Sequence, residues 1–218
     1  MKILENLFNN MEIKKITKSL FFISIIAIVF DLARLDIWGT SNLLYLIWNL
    51  FLAWIPYIIS LCFIKKEISV NRFIPLFFLW FLFFPNAPYL VTDVLHIASS
   101  SPALLWYDSL LFFFFGWIGL LLGMLSLFNV HQYIKTRLNY FFSEIIIIAI
   151  CFVSSLGIYL GRFERWNSWD MFVHPIILVR HLSNLSISLT HTGTPLMFVI
   201  IFTIFIYSIY RATCAFWV

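Results

Sequence analysis

The chain has 218 residues, of which 62% are apolar and 20% aromatic, while only 11% are charged. This composition excludes an ordinary soluble domain and predicts a polytopic integral membrane protein, with residues 1–218 forming a single membrane domain. The net charge of +4 does not indicate a nucleic-acid partner, because the basic residues follow the loop pattern of a membrane protein.

Six apolar runs are long enough to cross a bilayer as helices. Continuous runs such as EIIIIAICFVSSLGIYL favour helices, and the alternation typical of barrel strands does not occur. The first run is expected to be retained, because charged residues rather than a cleavage site follow its apolar core. The sequence therefore predicts an all-α transmembrane helix bundle with spans at residues 19–38, 43–64, 73–95, 104–128, 140–161 and 195–211.

The orientation is predicted from the Lys and Arg residues. Ten of the fourteen fall in the N-terminal segment, the second and fourth loops and the C-terminal tail. Because cytoplasmic loops accumulate these residues, both termini are expected on the cytoplasmic side of the cell membrane, and residues 163–194 are expected to form a long outer loop. Membrane lipids are the expected partners, since inner Lys residues also attract anionic headgroups.

The third span contains FFPNAPYLVTDVLH, in which Pro85 and Pro88 predict a break at 85–88. Such a break is tolerated only where it is buried in protein or lines a watery cavity. In a structural interpretation, Asn86 caps a helix that restarts at Pro88. In a functional interpretation, Asn86 and Tyr89 orient a substrate.

With this topology, most of the chemically unusual residues fall on the outer side. Ionisable groups inside a span cost ~2.5–3.5 kcal/mol at its centre and therefore pair or face a cavity. Two interpretations stay open: a structural network, or a polar pocket that opens to the outer face. The candidate residues, besides Asn86 and Tyr89, are Arg34, Asp93, His96, Asp108, Arg162, Arg165, Asn167 and Asp170.

Asp93 and His96 are the candidates for catalysis. A helix restarting at Pro88 would place them on one face with Tyr89, where they could transfer a proton. Two such residues are fewer than a metal site requires, so no metal and no cofactor is expected.

The segment GRFERWNSWD supplies the candidates for anion binding. Arg162 and Arg165 could hold a phosphate or carboxylate through bidentate contacts. Asn167 and Asp170 have a structural alternative as a capping box for the segment that follows.

Small residues predict close packing in the fourth span. Gly116, Gly119 and Gly123 in GWIGLLLG have a spacing that allows helices to approach closely. The three cysteines indicate neither a disulfide framework nor a metal site, and buried apolar positions explain them.

Three segments in the same order, FFPNAPYLVTDVLH, WYDSLLFFFFGWIGLLLG and GIYLGRFERWNSWD, resemble the bacterial membrane-protein family catalogued as domain of unknown function 1361. The upstream WNLFLAWIP agrees with this resemblance, which covers about residues 40–180. It implies a multi-spanning protein of roughly this length and transfers no catalytic residues.

Three function classes remain. The first is an envelope enzyme that acts at the outer leaflet on a lipid or lipid-linked anionic substrate. The second is a non-catalytic membrane partner that assembles with another envelope protein, and the third is a small-solute transporter, suggested by the broken span. The sequence does not define the oligomeric state.

Overall fold

The computed structural model describes residues 10–38, 43–64, 68–100, 102–166 and 194–217. These residues form helices and contain no strand, so the predicted all-α fold class is confirmed. The helices are α1 (Asn10–Trp38), α2 (Tyr45–Ser60), α3 (Val70–Phe83), α4 (Asn86–Tyr89), α5 (Leu105–Lys135), α6 (Tyr140–Phe163) and α7 (Thr194–Trp217), and 3₁₀ segments at Leu61–Ile64 and Leu90–Ser99 continue α2 and α4.

Five helical stretches within the described residues are long and apolar enough to cross a membrane. They are Tyr45–Ile64, Val70–Ala98, Leu105–Lys135, Tyr140–Phe163 and Thr194–Ala215. These stretches correspond to the second through sixth spans predicted from the sequence. The protein is therefore a multi-spanning helical membrane protein, as predicted.

The first predicted span, residues 19–38, lies within α1, which is not among the five. In this helix Lys18 precedes the apolar core and Asp31 follows it, so the uncharged run covers residues 19–30. Most of the predicted outer loop, from 167 to 193, lies outside the described residues.

The chain divides into two compact units. The first covers Met1–Tyr133 and Thr213–Val218, and the second covers Ile134–Ala212. The prediction of a single domain stays a prediction.

In the first unit, one end collects basic residues and is called the basic end, defined by Lys14, Lys18 and Arg72. Three contacts show that the start of α1, the end of α2, the start of α3 and the end of α5 lie at this end. The hydroxyls of Thr17 in α1 and Tyr57 in α2 lie 2.8 Å apart. Phe63 packs on Phe73, with ring centroids 5.3 Å apart, and the Tyr133 hydroxyl donates to the Ile68 carbonyl at 3.1 Å.

The opposite end of the first unit is called the acidic end and is defined by Asp31, Asp93 and Asp108. There, the last turns of α1 meet the start of α5, and the start of α2 meets the 3₁₀ segment Leu90–Ser99. Consecutive long helices in this unit thus run in opposite directions. Helix α1 extends over the same length as α2 and α5, from the basic end to the acidic end.

The core between these helices follows from the spacing of apolar residues. Helix α2 buries Leu46, Leu50, Ala53 and Tyr57, which repeat at intervals of four and three and so line one helical face. Partners from α1, α4 and α5 complete the same cluster. This packing fixes the ends of the helices on which the candidate residues lie.

Candidate functional site

The break in the third span lies at Phe84 and Pro85, between α3 and α4, as predicted. The Ala87 amide bonds the Phe84 carbonyl at 3.1 Å instead of the Phe83 carbonyl one turn away. The Asn86 side chain donates to that freed Phe83 carbonyl at 2.9 Å. The prediction that Asn86 caps a helix restarting at Pro88 was wrong: α4 begins at Asn86 and has no side-chain cap. Asn86 therefore supplies a hydrogen bond to the backbone carbonyl of Phe83 and does not cap the backbone amides at the start of α4.

The break is buried against the glycines of α5. A Cβ on Gly119 would lie 2.5 Å from the Ala87 carbonyl oxygen, whereas one on Gly116 would lie at an ordinary 3.4 Å from the backbone of Val91. A Cβ on Gly123 would lie 3.2 Å from that of Ala87. The predicted close packing is therefore confirmed, and its partner is the α4 turn. Burial in protein is the condition under which irregular backbone is tolerated at this depth.

Beyond α4 the chain continues as a 3₁₀ segment from Leu90 to Ser99. Runs longer than three or four residues are uncommon in this geometry, and residues three apart align along it. Asp93 and His96 therefore align with Leu90, while Tyr89 aligns with Thr92, whose hydroxyl donates to the Tyr89 carbonyl. The expectation that Tyr89 shares a face with Asp93 and His96 was wrong, because it assumed α-helical spacing.

Asp93 and His96 differ sharply in exposure. Asp93 is fully buried, and the Asn49 side-chain amide donates to its carboxylate at 3.1 Å. His96 is exposed, and its ring packs edge-on against Tyr45 with centroids 5.5 Å apart. This end of the unit thus combines an oriented carboxylate with an accessible imidazole, two groups capable of proton transfer.

Arg34 and Asp108 form a two-point ion pair. Arg34 Nε lies 2.5 Å from Asp108 Oδ1, and Arg34 Nη2 lies 3.0 Å from Oδ2. Both side chains are buried, and Ser100 adds a hydrogen bond to the same carboxylate. A pair held in this way links α1 to α5. The structure brings these two predicted residues together in a structural contact, and their role in substrate binding stays a prediction.

Asp31 adds a further charge beside this pair. It is buried, and no hydrogen-bond partner of its Oδ2 exists among the described residues. The neighbouring Tyr107 hydroxyl donates to the Phe30 carbonyl at 2.7 Å, which ties α1 and α5 together once more.

Arg162 and Arg165 belong to the second unit. Arg162 is half-buried in the last turn of α6, and Arg165 is exposed beyond the end of that helix. Arg165 has a φ of 57°, a left-handed conformation uncommon for a residue with a side chain. The Trp166 amide bonds the Leu160 carbonyl and closes the helix end. The remaining two candidates, Asn167 and Asp170, lie outside the described residues.

Polar contacts also occur farther from the acidic end, and the sequence did not reveal them. The Trp80 indole donates to Ser126, whose hydroxyl reaches the Pro56 carbonyl at 3.2 Å. The Asn129 amide donates to Ser60 at 3.0 Å. Serine and tryptophan are common in membrane helices, so no sequence signal marked these pairs. The Asn49–Asp93 bond joins two helices in the same way.

The described residues contain no group of three or more His, Cys, Asp or Glu side chains arranged to hold a metal ion. Their polar groups instead make bonds between helices. The fold and these contacts define an all-α, multi-spanning membrane protein with a charged, internally paired end.

The chain belongs to the family described as "Protein of unknown function (DUF1361)", whose profile matches residues 48–209. The resemblance seen in the three sequence segments is thereby confirmed. Comparison with curated proteins and with solved structures finds no significant match.

Proposed function

We propose that this protein is a membrane enzyme that acts at the outer face of the cell membrane on a lipid or lipid-linked substrate. The observation that carries the proposal is the accessible His96 aligned with the buried Asp93 on one 3₁₀ segment. In this arrangement the imidazole exchanges a proton with the substrate, and Asn49 orients the neighbouring Asp93 carboxylate.

The backbone geometry supports a functional role for this segment. Ten consecutive residues are in 3₁₀ conformation, although the hydrogen bonds of that helix are poorer than those of an α-helix. Unfavourable backbone persists where surrounding structure determines it, and such places cluster at functional sites. Here the surroundings are the α5 glycines and the contact of His96 with Tyr45.

The anionic class of substrate rests on the sequence prediction for Arg162 and Arg165. Guanidinium groups bind phosphate and carboxylate by two parallel hydrogen bonds. In this proposal the substrate is a lipid-linked phosphate or carboxylate, and the protein comes from a bacterial envelope.

The proposed topology places the acidic end outside and the basic end inside, with α1 as the first of six spans. The charge distribution in the loops supports this orientation. The length of α1, from Thr17 beside Tyr57 to Arg34 beside Asp108, supports its crossing. Both termini are then cytoplasmic.

The test compares membrane lipids from cells with the gene deleted and complemented by the wild type, His96→Ala or Val94→Ala. Val94 is an exposed neighbour in the same 3₁₀ segment and serves as the control. We expect deletion to change the amount of one lipid class, measured by untargeted mass spectrometry. His96→Ala should reproduce the deletion, because removing an acid–base group costs roughly 100-fold or more in rate.

Two further variants test the individual roles. Asp93→Asn keeps the size of the side chain but removes its charge, and it should also reproduce the deletion. Arg162→Gln should weaken apparent substrate affinity more than turnover. Thermal unfolding in detergent shows whether each variant folds; a folded His96→Ala variant that restores the wild-type lipid profile contradicts the proposal.

The second candidate, a non-catalytic membrane partner, is favoured by one observation. The Arg34–Asp108 pair and the Asn49–Asp93 bond account for buried polar groups without any substrate. This alternative predicts an unchanged lipid profile on deletion, together with a specific envelope protein that copurifies with the wild type. The transporter hypothesis is less well supported, because the inner polar residues Ser126 and Asn129 bond neighbouring helices.

A further inference from the structure

A groove opens at the basic end of the first unit, between the first half of α1 and the end of α2. Its volume is about 510 Å³, within the range of roughly 300–1,000 Å³ that is usual for small-molecule sites. Phe21, Trp54, Leu61 and Ile64 supply most of its wall. The groove is thus an apolar trough beside membrane-spanning helices.

The polar side of the groove comes from α1. Lys14 and Lys18 both line it, and because they are four residues apart they lie on one helical face. Both are exposed. The adjacent Lys15 is not among the lining residues and is paired with Glu12 at 2.8 Å. Two ammonium groups therefore border the apolar trough, while a third, on the same helix, is neutralised by a neighbour.

Contacts inside the protein hold the groove open. The Trp54 indole donates to Ser24 at 3.1 Å, and Phe21 meets the Trp54 ring edge-on at 6.3 Å. The hydroxyl of Thr17 is bound to that of Tyr57. Because the walls are fixed by bonds between α1 and α2, a ligand would not have to order them on binding, and this lowers the entropic cost of binding.

We propose that this groove binds one anionic phospholipid, with its phosphate at Lys14 and Lys18 and an acyl chain along Phe21 and Trp54. The apolar walls and the two lysines together favour an amphiphilic ligand. A soluble anion would leave the apolar walls exposed, and a zwitterionic lipid would bring its own cation to the two lysines. Basic pockets between membrane helices on the cytoplasmic side are suited to anionic headgroups. The site is independent of Asp93 and His96.

The test measures lipid binding to the purified full chain in detergent by native mass spectrometry, with titration of phosphatidylglycerol or phosphatidylcholine. We expect one tightly bound phosphatidylglycerol and no equivalent phosphatidylcholine. The double variant Lys14→Gln/Lys18→Gln should bind phosphatidylglycerol about 30-fold more weakly, since each cation near a lipid surface contributes roughly 1 kcal/mol. The control is Lys15→Gln, which removes one positive charge from the same helix outside the groove and is compared with the loss per lysine in the double variant.

A second variant tests the apolar wall. Phe21 is 59% exposed, so Phe21→Ala should fold normally and should weaken phosphatidylglycerol binding without changing its preference over phosphatidylcholine. Inorganic phosphate, titrated alone, should not compete at concentrations that match the lipid. A loss for Lys15→Gln as large as the loss per lysine in the double variant would show general surface attraction and overturn the site. Effective competition by inorganic phosphate would overturn the lipid assignment.

Discussion

At the scale of single residues, the charge of the acidic end is concentrated in Asp31, Arg34 and Asp108. Two carboxylates and one guanidinium leave one net negative charge among three buried side chains. The guanidinium makes two bonds to Asp108, while Asp31 keeps one oxygen without a hydrogen-bond partner among the described residues. The two aspartates therefore contribute very differently to stability.

Asp108→Asn should be strongly destabilising, because it removes the charge of the carboxylate that makes two bonds to the buried Arg34 guanidinium. Breaking a buried pair costs about 3–5 kcal/mol. Asp31→Asn removes an excess buried charge and should change the free energy of unfolding by less than about 1 kcal/mol, on the same argument. Reversible unfolding in mixed micelles measures both.

Asp36→Asn, an exposed aspartate near the end of the same helix, is the control and should behave as the wild type. The double change Asp31→Asn/Asp108→Asn should be the least stable variant. If Asp31→Asn proves as costly as Asp108→Asn, the assignment of Asp108 as the principal partner is wrong.

The sequence predicted these residues as a charged cluster but did not predict the pairing. The sequence does not show which charges pair, and in the structure Asp108 bonds Arg34. The choice depends on which helices are neighbours, and spans of similar hydrophobicity carry no signal for that. Asn49 carries an amide within a span, where such a group needs a partner, and its partner in the structure is Asp93.

At the scale of elements, the third span is shaped by both its own prolines and the glycines of α5. The prolines remove backbone donors and interrupt the hydrogen-bond register, and the sequence was sufficient to predict this. The 3₁₀ conformation from Leu90 to Ser99 could not be predicted, since its residues have ordinary helical character. Its first two residues, Leu90 and Val91, lie against Gly119 and Gly116 of α5.

Two alanine substitutions on α5 should differ in their effect on the free energy of unfolding. Gly119→Ala places a methyl group 2.5 Å from the Ala87 carbonyl oxygen, so we expect a loss of about 1–3 kcal/mol from overpacking. Gly116→Ala has room at 3.4 Å and should be neutral or stabilising by up to about 1 kcal/mol, through helix propensity. Unfolding in mixed micelles distinguishes the two, and equal effects would contradict the close approach of α4 to α5.

At the scale of the whole molecule, charge and hydropathy predicted the helices well. Five predicted spans lie on helices apolar enough to cross, with bounds that differ by only a few residues at most ends. The first predicted span is not among them, yet contacts carry α1 along the full length of its neighbours. The length and composition of a helix do not show its contacts with other helices. In α1, the charge of Arg34 is neutralised by the buried pair with Asp108 in α5.

The six-span topology predicts which introduced cysteines a membrane-impermeant maleimide reaches in intact cells. In a background without the native cysteines, Ala103→Cys at the acidic end should be labelled from outside. Leu138→Cys, after α5, should be labelled only after the membrane is opened. Glu12→Cys reports on α1 and should behave like Leu138→Cys; labelling from outside would show that α1 does not cross.

The separation of Arg34 and Asp108 along the chain has a consequence for biogenesis. Asp108 follows Arg34 by 74 residues, so a ribosome synthesising about 5–20 residues per second needs roughly 4–15 s to supply the partner. During that interval the charged end of α1 lacks the carboxylate that makes two bonds to Arg34 in the folded protein, and lipid is a poor solvent for such charges. Helix α1 is therefore expected to wait at the insertion machinery or in the headgroup layer and to take its final depth only when α5 arrives. We therefore expect the order in which the helices reach their final depth to depend on the Arg34–Asp108 pair rather than on the hydrophobicity of each successive helix.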